Sequence, residues 1–215
     1  MKFILPVFVW ASMLFAYPEP YSSLENIFPF DDSGWFCGDN RLMLEQFIQK
    51  KKIKIIVELG SLLGQSTRYM AERLPEGGVV YAVDHWLGNP EHQSPHRTDI
   101  YPKLPTLYER FLSNVIHARL CDKIIPVRMT TLEAAEYLAG IQPDLVYVDA
   151  THETHLVLQD LETWYPFVQG HGILCGDDWE RGGGNGSVKV AVIHFANLHG
   201  LRYFNFGNFW WLEEY

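Results

Sequence analysis

Cysteine is scarce in this chain of 215 residues: Cys37, Cys121 and Cys175 are widely spaced, odd in number and include no C-x-x-C pair. That argues against a disulfide framework and against a cysteine-built zinc site. Positive charge is short as well, with 17 Lys and Arg against 26 Asp and Glu, a formal net charge of −9. Without a basic surplus there is little to exchange for the counterions of a phosphate backbone, so no nucleic-acid partner is expected. No stretch reaches the roughly 20 apolar residues that a membrane-spanning helix requires. The fingerprint G-x-G-x-x-G is absent, and the glycine tract Gly182 to Gly186 lacks the Lys-Ser/Thr end of a phosphate-binding loop. That tract reads as a mobile lip or a linker.

What remains has the composition of a folded domain: 47% hydrophobic and 20% charged residues, with aromatics at 14% predicting a ring-rich core or pocket. The length predicts one domain. Phe3 to Ala16 is apolar apart from Ser12 and Pro6, and Tyr17-Pro18-Glu19-Pro20 follows. Its length suits the core of a signal peptide. It reads either as an export signal or membrane-proximal anchor, or as an arm packed on the domain or on a second copy of the chain. The expected organisation is an apolar segment over 1–16, an arm over 17–40 and the folded domain over 41–215. Any membrane contact is expected only through the first segment, and the aromatic surplus is compatible with a homodimer.

Beyond residue 40, β-branched apolar runs alternate with helical periodicity. Strands are predicted over Ile53 to Leu59, Val79 to Val83, Lys123 to Met129, Leu145 to Val148 and Gly172 to Cys175. Helices are predicted over Asn40 to Lys51, Ser66 to Leu74, Leu107 to Leu120, Leu132 to Ala139, His155 to Val168 and Ser187 to Leu198. Leu201 to Phe206 and Phe209 to Leu212 form a closing hairpin around Gly207-Asn208. Strands separated by helices imply a doubly wound α/β domain, with a mainly parallel seven-stranded sheet and an antiparallel C-terminal hairpin.

Such sheets bind ligands beyond the carboxyl ends of their strands, where strand order reverses. The residues there are polar or acidic at nearly every strand end. Gly60 and Gly64 occupy the first strand-to-helix turn, where missing side chains let backbone N–H groups approach a ligand. Asp84 ends the next strand, about 20 residues on, where a carboxylate can accept both hydroxyls of a ribose. Its alternative duty is to cap a helix or sit solvated in a loop.

Val57-Glu58-Leu59-Gly60-Ser61-Leu62-Leu63-Gly64-Gln65-Ser66 resembles the first motif of class I S-adenosylmethionine-dependent methyltransferases, and Val80-Tyr81-Ala82-Val83-Asp84 resembles their ribose-binding strand. Asp84-His85-Trp86-Leu87-Gly88-Asn89-Pro90-Glu91-His92, Pro143 to His152 and Gly172 to Trp179 are similar to small bacterial members related to metal-dependent sugar and catechol O-methyltransferases. The likeness runs from about Arg41 to the C-terminal Phe209-Trp210-Trp211-Leu212. It implies that Glu58 and Gly60, with Gly64, Gln65 and Ser66 in the same turn, hold the methionine end of the donor. Asp84, with His85 beside it, would take the ribose, and Met129 and Thr130 the adenine edge.

Asp149, Asp177 and Asp178 stand at the ends of two strands expected to be neighbours. Three hard oxygen donors with room for water or substrate oxygens suit Mg²⁺; capping and turn duties are the alternative. The resemblance implies the same metal ligands. It also makes His152 the general base, at the opening of a helix where histidine can take a proton near neutral pH. The alternative for His152 is a hydrogen bond to a loop carbonyl. His155 is expected at the surface. His92 and His96 read as lid residues of the long loop Trp86 to Ile100, and Trp179 as a stacking surface for the acceptor ring.

The resemblance implies Mg²⁺-assisted O-methylation of a small hydroxylated acceptor. The rival readings are a hydroxylase-like member of the same fold group and a non-catalytic exported module. A nicotinamide oxidoreductase is disfavoured by the missing fingerprint. Because the methyl donor is made and kept in the cytoplasm, a cytoplasmic catalytic domain with an uncleaved N-terminal arm is the preferred location, export or membrane attachment being the alternative.

Overall fold

The computed structural model describes residues 17–180 and 187–215. The apolar segment 1–16 and the glycine tract both lie outside the described residues. Among those described, no helix is long and apolar enough to cross a membrane.

Seven strands form one sheet: β1 (Ile55–Leu59), β2 (Val79–Asp84), β3 (Ile124–Arg128), β4 (Leu145–Val148), β5 (Ile173–Gly176), β6 (Arg202–Phe206) and β7 (Phe209–Glu213). Their spatial order is β3-β2-β1-β4-β5-β7-β6. The first five pair in parallel, while β7 runs antiparallel to both β5 and β6. The sheet is thus doubly wound and ends in an antiparallel hairpin, as the sequence pattern predicts.

Alternation along the parallel strands explains the layering. Ile56, Val80, Leu145 and Tyr147 face one core, packed with α1 (Gly38–Lys51), α2 (Gln65–Arg73) and α3 (Leu107–Ala118). Val57, Leu59, Val146 and Val148 face the other, packed with α4 (Thr131–Tyr137), α5 (Thr154–Trp164) and α6 (Ser187–His199). Helix boundaries match expectation or depart from it by up to four residues at either end. The largest difference follows α5, where Pro166 lies in a short 3-10 turn over Tyr165–Phe167, because proline cannot continue the α-helical hydrogen-bond ladder.

The arm before α1 is tied across the molecule. Tyr21 is buried and its hydroxyl donates to the Ile124 carbonyl at 2.8 Å. Asn114 of α3, fully buried, accepts from Asp31 N–H at 2.9 Å and donates to the carbonyls of Asp31 and Leu63, each at 2.9 Å. One side chain therefore joins the arm to the turn after β1. Asn114→Ala should cost about 1–3 kcal/mol, because it leaves buried backbone groups unpaired. The arm should then become the first site of limited proteolysis, read by mass spectrometry. Unchanged stability and an uncut arm would contradict this tie.

Candidate functional site

Strand order reverses between β1 and β4, and a cavity of about 440 Å³ opens over the strand ends there. The ladder continues past the strands, with Gly60 N–H donating to the Val83 carbonyl at 2.8 Å and Asp149 N–H to the Leu59 carbonyl at 2.8 Å. Gly60 has φ +93, and a Cβ there would collide with the Asp149 carbonyl. Only glycine lets the exits of β1 and β4 lie this close.

The turn between β1 and α2 is braced from behind. Glu58 is fully buried and accepts hydrogen bonds from the hydroxyls of Ser61, at 2.7 Å, and of Ser66 and Thr67. Burial raises its pKa, opposed by these three hydroxyls. Glu58 and Gly64 stay outside the cavity lining, whereas Gly60, Ser61, Leu62, Leu63, Gln65 and Ser66 border it. Gly64, at φ +78, packs where a Cβ would meet Phe111 at 2.8 Å. Gln65 turns its amide to the arm, donating to the Asp32 carbonyl at 3.1 Å and accepting from Phe36 N–H at 3.4 Å.

Asp84 pins the same turn from the β2 side. Its Oδ2 accepts from Leu62 N–H at 2.9 Å and its Oδ1 from Trp86 N–H at 2.6 Å. The indole of buried Trp86 donates back to the Leu62 carbonyl at 2.8 Å. A carboxylate oxygen has more than one acceptor site, so Asp84 can still take ligand hydroxyls on its cavity side. His85 lines the cavity and accepts Leu87 N–H at 2.9 Å.

Met129 and Thr130 border the cavity beyond β3, and Thr130 caps α4 in a reciprocal box with Glu133. Asp160 of α5 lines the same region, only 3% exposed, and accepts from the Thr131 hydroxyl at 2.6 Å. Burial pushes its pKa up to about 6. Its position on a helix face gave no sequence signal, since α5 carries a second acid, Glu162, two residues on.

At the ends of β4 and β5, donor atoms of Asp149, His152 and Asp178 lie within 4.8 Å of one another. His152 Nε2 is 2.6 Å from Asp178 Oδ2, and its Nδ1 is 3.6 Å from Glu91 Oε1. Asp177 lines the cavity but stands outside this group. It is buried, hydrogen-bonded to Asn40 and accepting Asp178 N–H at 2.6 Å, and burial pushes its pKa up to about 6. Consecutive side chains at a strand end diverge, and Asp178 adds a left-handed backbone at φ 67. Two carboxylates and an imidazole nitrogen form a donor set that fits a divalent cation with positions left for other oxygens.

Trp179, expected to stack on an acceptor, is instead 3% exposed in the core, with Lys189 over its ring and Tyr203 beside it. Its N–H donates to the Asn208 carbonyl at 3.0 Å, which draws the chain back toward the hairpin. Among the expected lid histidines, His92 is buried against the cavity while His96 does not line it; His155 is exposed. Asn89, which ties the lid loop to the Ala150 carbonyl at 2.7 Å, and Trp35 of the arm are cavity residues that sequence reasoning missed.

A family model described as "Methyltransferase domain" matches residues 57–179. An uncharacterised protein of Sinorhizobium fredii is 29% identical over 171 residues, 74% of this chain. The chain spans 17% of the length of that curated relative. An O-methyltransferase from Bacillus cereus, solved in complex with SAH, superposes with a TM-score of 0.60 at 18% identity, covering 82% of this chain and 80% of that one. An O-methyltransferase from Streptomyces achromogenes involved in tomaymycin synthesis, solved with SAM, gives 0.60 at 14% identity, covering 82% and 79%. At these identities the structural likeness is one of fold.

The raised pKa of Asp160 carries a sign. The folded state holds the proton up to about pH 6, while an unfolded aspartate releases it near 3.9. Stability should therefore fall as pH rises from about 4 to 6, by on the order of 2 kcal/mol from this group. Asp160→Asn keeps the acceptor for Thr131 and should flatten that part of the profile in urea titrations. A mutant profile with the wild-type slope would contradict the assignment.

Proposed function

The chain belongs to the methyltransferase-domain family, and from that premise we propose that it transfers the methyl group of S-adenosylmethionine to a hydroxyl oxygen of a small acceptor. The observation that carries this reading is the single cavity bordered by Gly60 and Asp84 on one side and by Asp149, His152 and Asp178 on the other. In this reading it joins a place for the donor's ribose to a residue able to take a proton.

In this reading Asp84 accepts the ribose hydroxyls, and the segment Met129 to Leu132 with Asp160 borders the adenine. The backbone from Gly60 to Leu63 faces the methionine end. His152 takes the proton of the acceptor hydroxyl, and Asp178, 2.6 Å away, orients the imidazole and stabilises its protonated form. The acceptor oxygen forms a bond to the methyl carbon as the carbon–sulfur bond breaks, and the electron pair leaves with the thioether sulfur. Holding both reactants in one crevice supplies much of the acceleration. Asp149 and Asp178 would hold a divalent cation such as Mg²⁺, His152 serving as the base rather than as a ligand. When bound, that ion would lower the pKa of the acceptor hydroxyl and fix its orientation.

Two variants and a chelator separate these roles. Asp84→Ala should weaken binding of the demethylated donor by about 1.5–3 kcal/mol in calorimetry. His152→Ala should leave that binding intact and slow single-turnover methyl transfer by roughly 10²-fold or more. Chelator should depress turnover and Mg²⁺ restore it. Full turnover in chelator would remove the cation from the mechanism, and an unimpaired His152→Ala would remove the base.

A further inference from the structure

The Asp178 carboxylate reaches His152 from a backbone that an L-residue does not take up unaided. Asp178 has φ 67, in the left-handed region, which costs a residue with a side chain energy and persists where the surroundings over-determine it. Its neighbours on both sides supply that constraint. After it, Trp179 is buried in the core and its N–H donates to the Asn208 carbonyl at 3.0 Å. Before it, Asp177 N–H donates to the Val148 carbonyl at 3.1 Å, and the Asp177 carbonyl accepts from the indole of fully buried Trp210 at 2.9 Å.

The Asp177 carboxylate completes the hold. Its Oδ1 accepts from the Asp178 N–H at 2.6 Å, and the same side chain is hydrogen-bonded to Asn40, fully buried in the first turn of α1. Asn40 is tied in turn to the residue before α1, its Nδ2 donating to Cys37 Sγ at 3.1 Å. A line of contacts thus runs from the start of α1 through Asp177 to the Asp178 backbone, and from the Asp178 carboxylate to His152 Nε2 at 2.6 Å. Asp177 is only 5% exposed and is not part of the donor group of Asp149, His152 and Asp178.

We propose that Asp177 is a positioning residue of this site rather than a third cation ligand. Its carboxylate holds the Asp178 N–H and so fixes the left-handed turn that aims the Asp178 carboxylate at His152. The inference rests on the transferase reading and deepens it, by assigning how the partner of the base is held. Outer partners of this kind act through direction, because a carboxylate turned away neither binds a cation nor orients an imidazole. What the position requires is then a hydrogen-bond acceptor, not a charge. Asp177→Asn meets that requirement. The new Oδ1 keeps the Asp178 N–H, and the new Nδ2 faces Asn40, whose Oδ1 has no hydrogen-bond partner among the described residues and is able to accept once its amide turns over.

Proton NMR of the metal-free protein reads the His152–Asp178 bond as a far-downfield imidazole N–H resonance that His152→Ala removes. Asp177→Asn should keep that resonance and Asp177→Ala should lose it. Asp177→Leu, which fills the space without an acceptor, takes the place of Asp177→Ala if the latter does not fold. In calorimetry with Mg²⁺ alone, Asp177→Ala should bind the ion about tenfold more weakly than Asp177→Asn. Affinity for S-adenosylhomocysteine should be the same in all of them. A resonance that survives in Asp177→Ala, or is absent from the wild type, would overturn the positioning role. So would an equal loss of Mg²⁺ affinity in Asp177→Asn and Asp177→Ala, since charge, and with it ligation, would then be what the position supplies. Failure of the wild type to bind Mg²⁺ or S-adenosylhomocysteine would instead remove the cation or the transferase reading, and the resonance would still decide how Asp178 is held.

Discussion

The exits of β1 and β4 touch because residue 60 has no side chain, and the rest of the site depends on that contact. With the Gly60 backbone against the Asp149 carbonyl, the turn that borders one half of the cavity and the acidic strand end that borders the other share one wall. Asp84 then fixes the turn from β2 through Leu62 and Trp86, and Glu58 fixes it from within through three hydroxyls. Neither carboxylate is a bystander to folding. Each satisfies donors that would otherwise be stranded in a turn carrying two left-handed glycines.

The same economy appears where the chain preceding the domain meets the site. Asn114 and Gln65 both bind the arm and both contact the turn region, so positioning the turn and closing the cavity are coupled. A ligand that orders the turn would also be expected to order the arm, since both hang on the same side chains. Asp160, beside Thr131, and Asp177, at the exit of β5, are buried acids whose raised pKa values oppose stability as pH rises. Stored cost of this kind is common where a site is built to receive positive charge.

Much of this architecture was readable from residue order. Parallel strands buried on both faces leave continuous apolar runs, and Ile55 to Leu59 and Leu145 to Val148 are such runs, so the sheet followed from them. Gly60 and Asp84 were legible because each sits at a strand end with a chemical reason to be there. Less visible was the direction of side chains once the backbone leaves the strand. The left-handed turn at Asp178 separates it from Asp177, pairs it with His152 and sends Trp179 into the core. Trp35 and Asp160 were missed for a different reason: one lies in an arm without periodicity, the other on a helix whose rotation no motif announces.

The proposed preference of this crevice for a methyl donor over a dinucleotide is read by titrating the wild-type protein in a calorimeter with S-adenosylhomocysteine and, separately, with NADH. Saturable binding of S-adenosylhomocysteine with no heat from NADH is the predicted result. Binding of NADH without binding of S-adenosylhomocysteine would contradict the account.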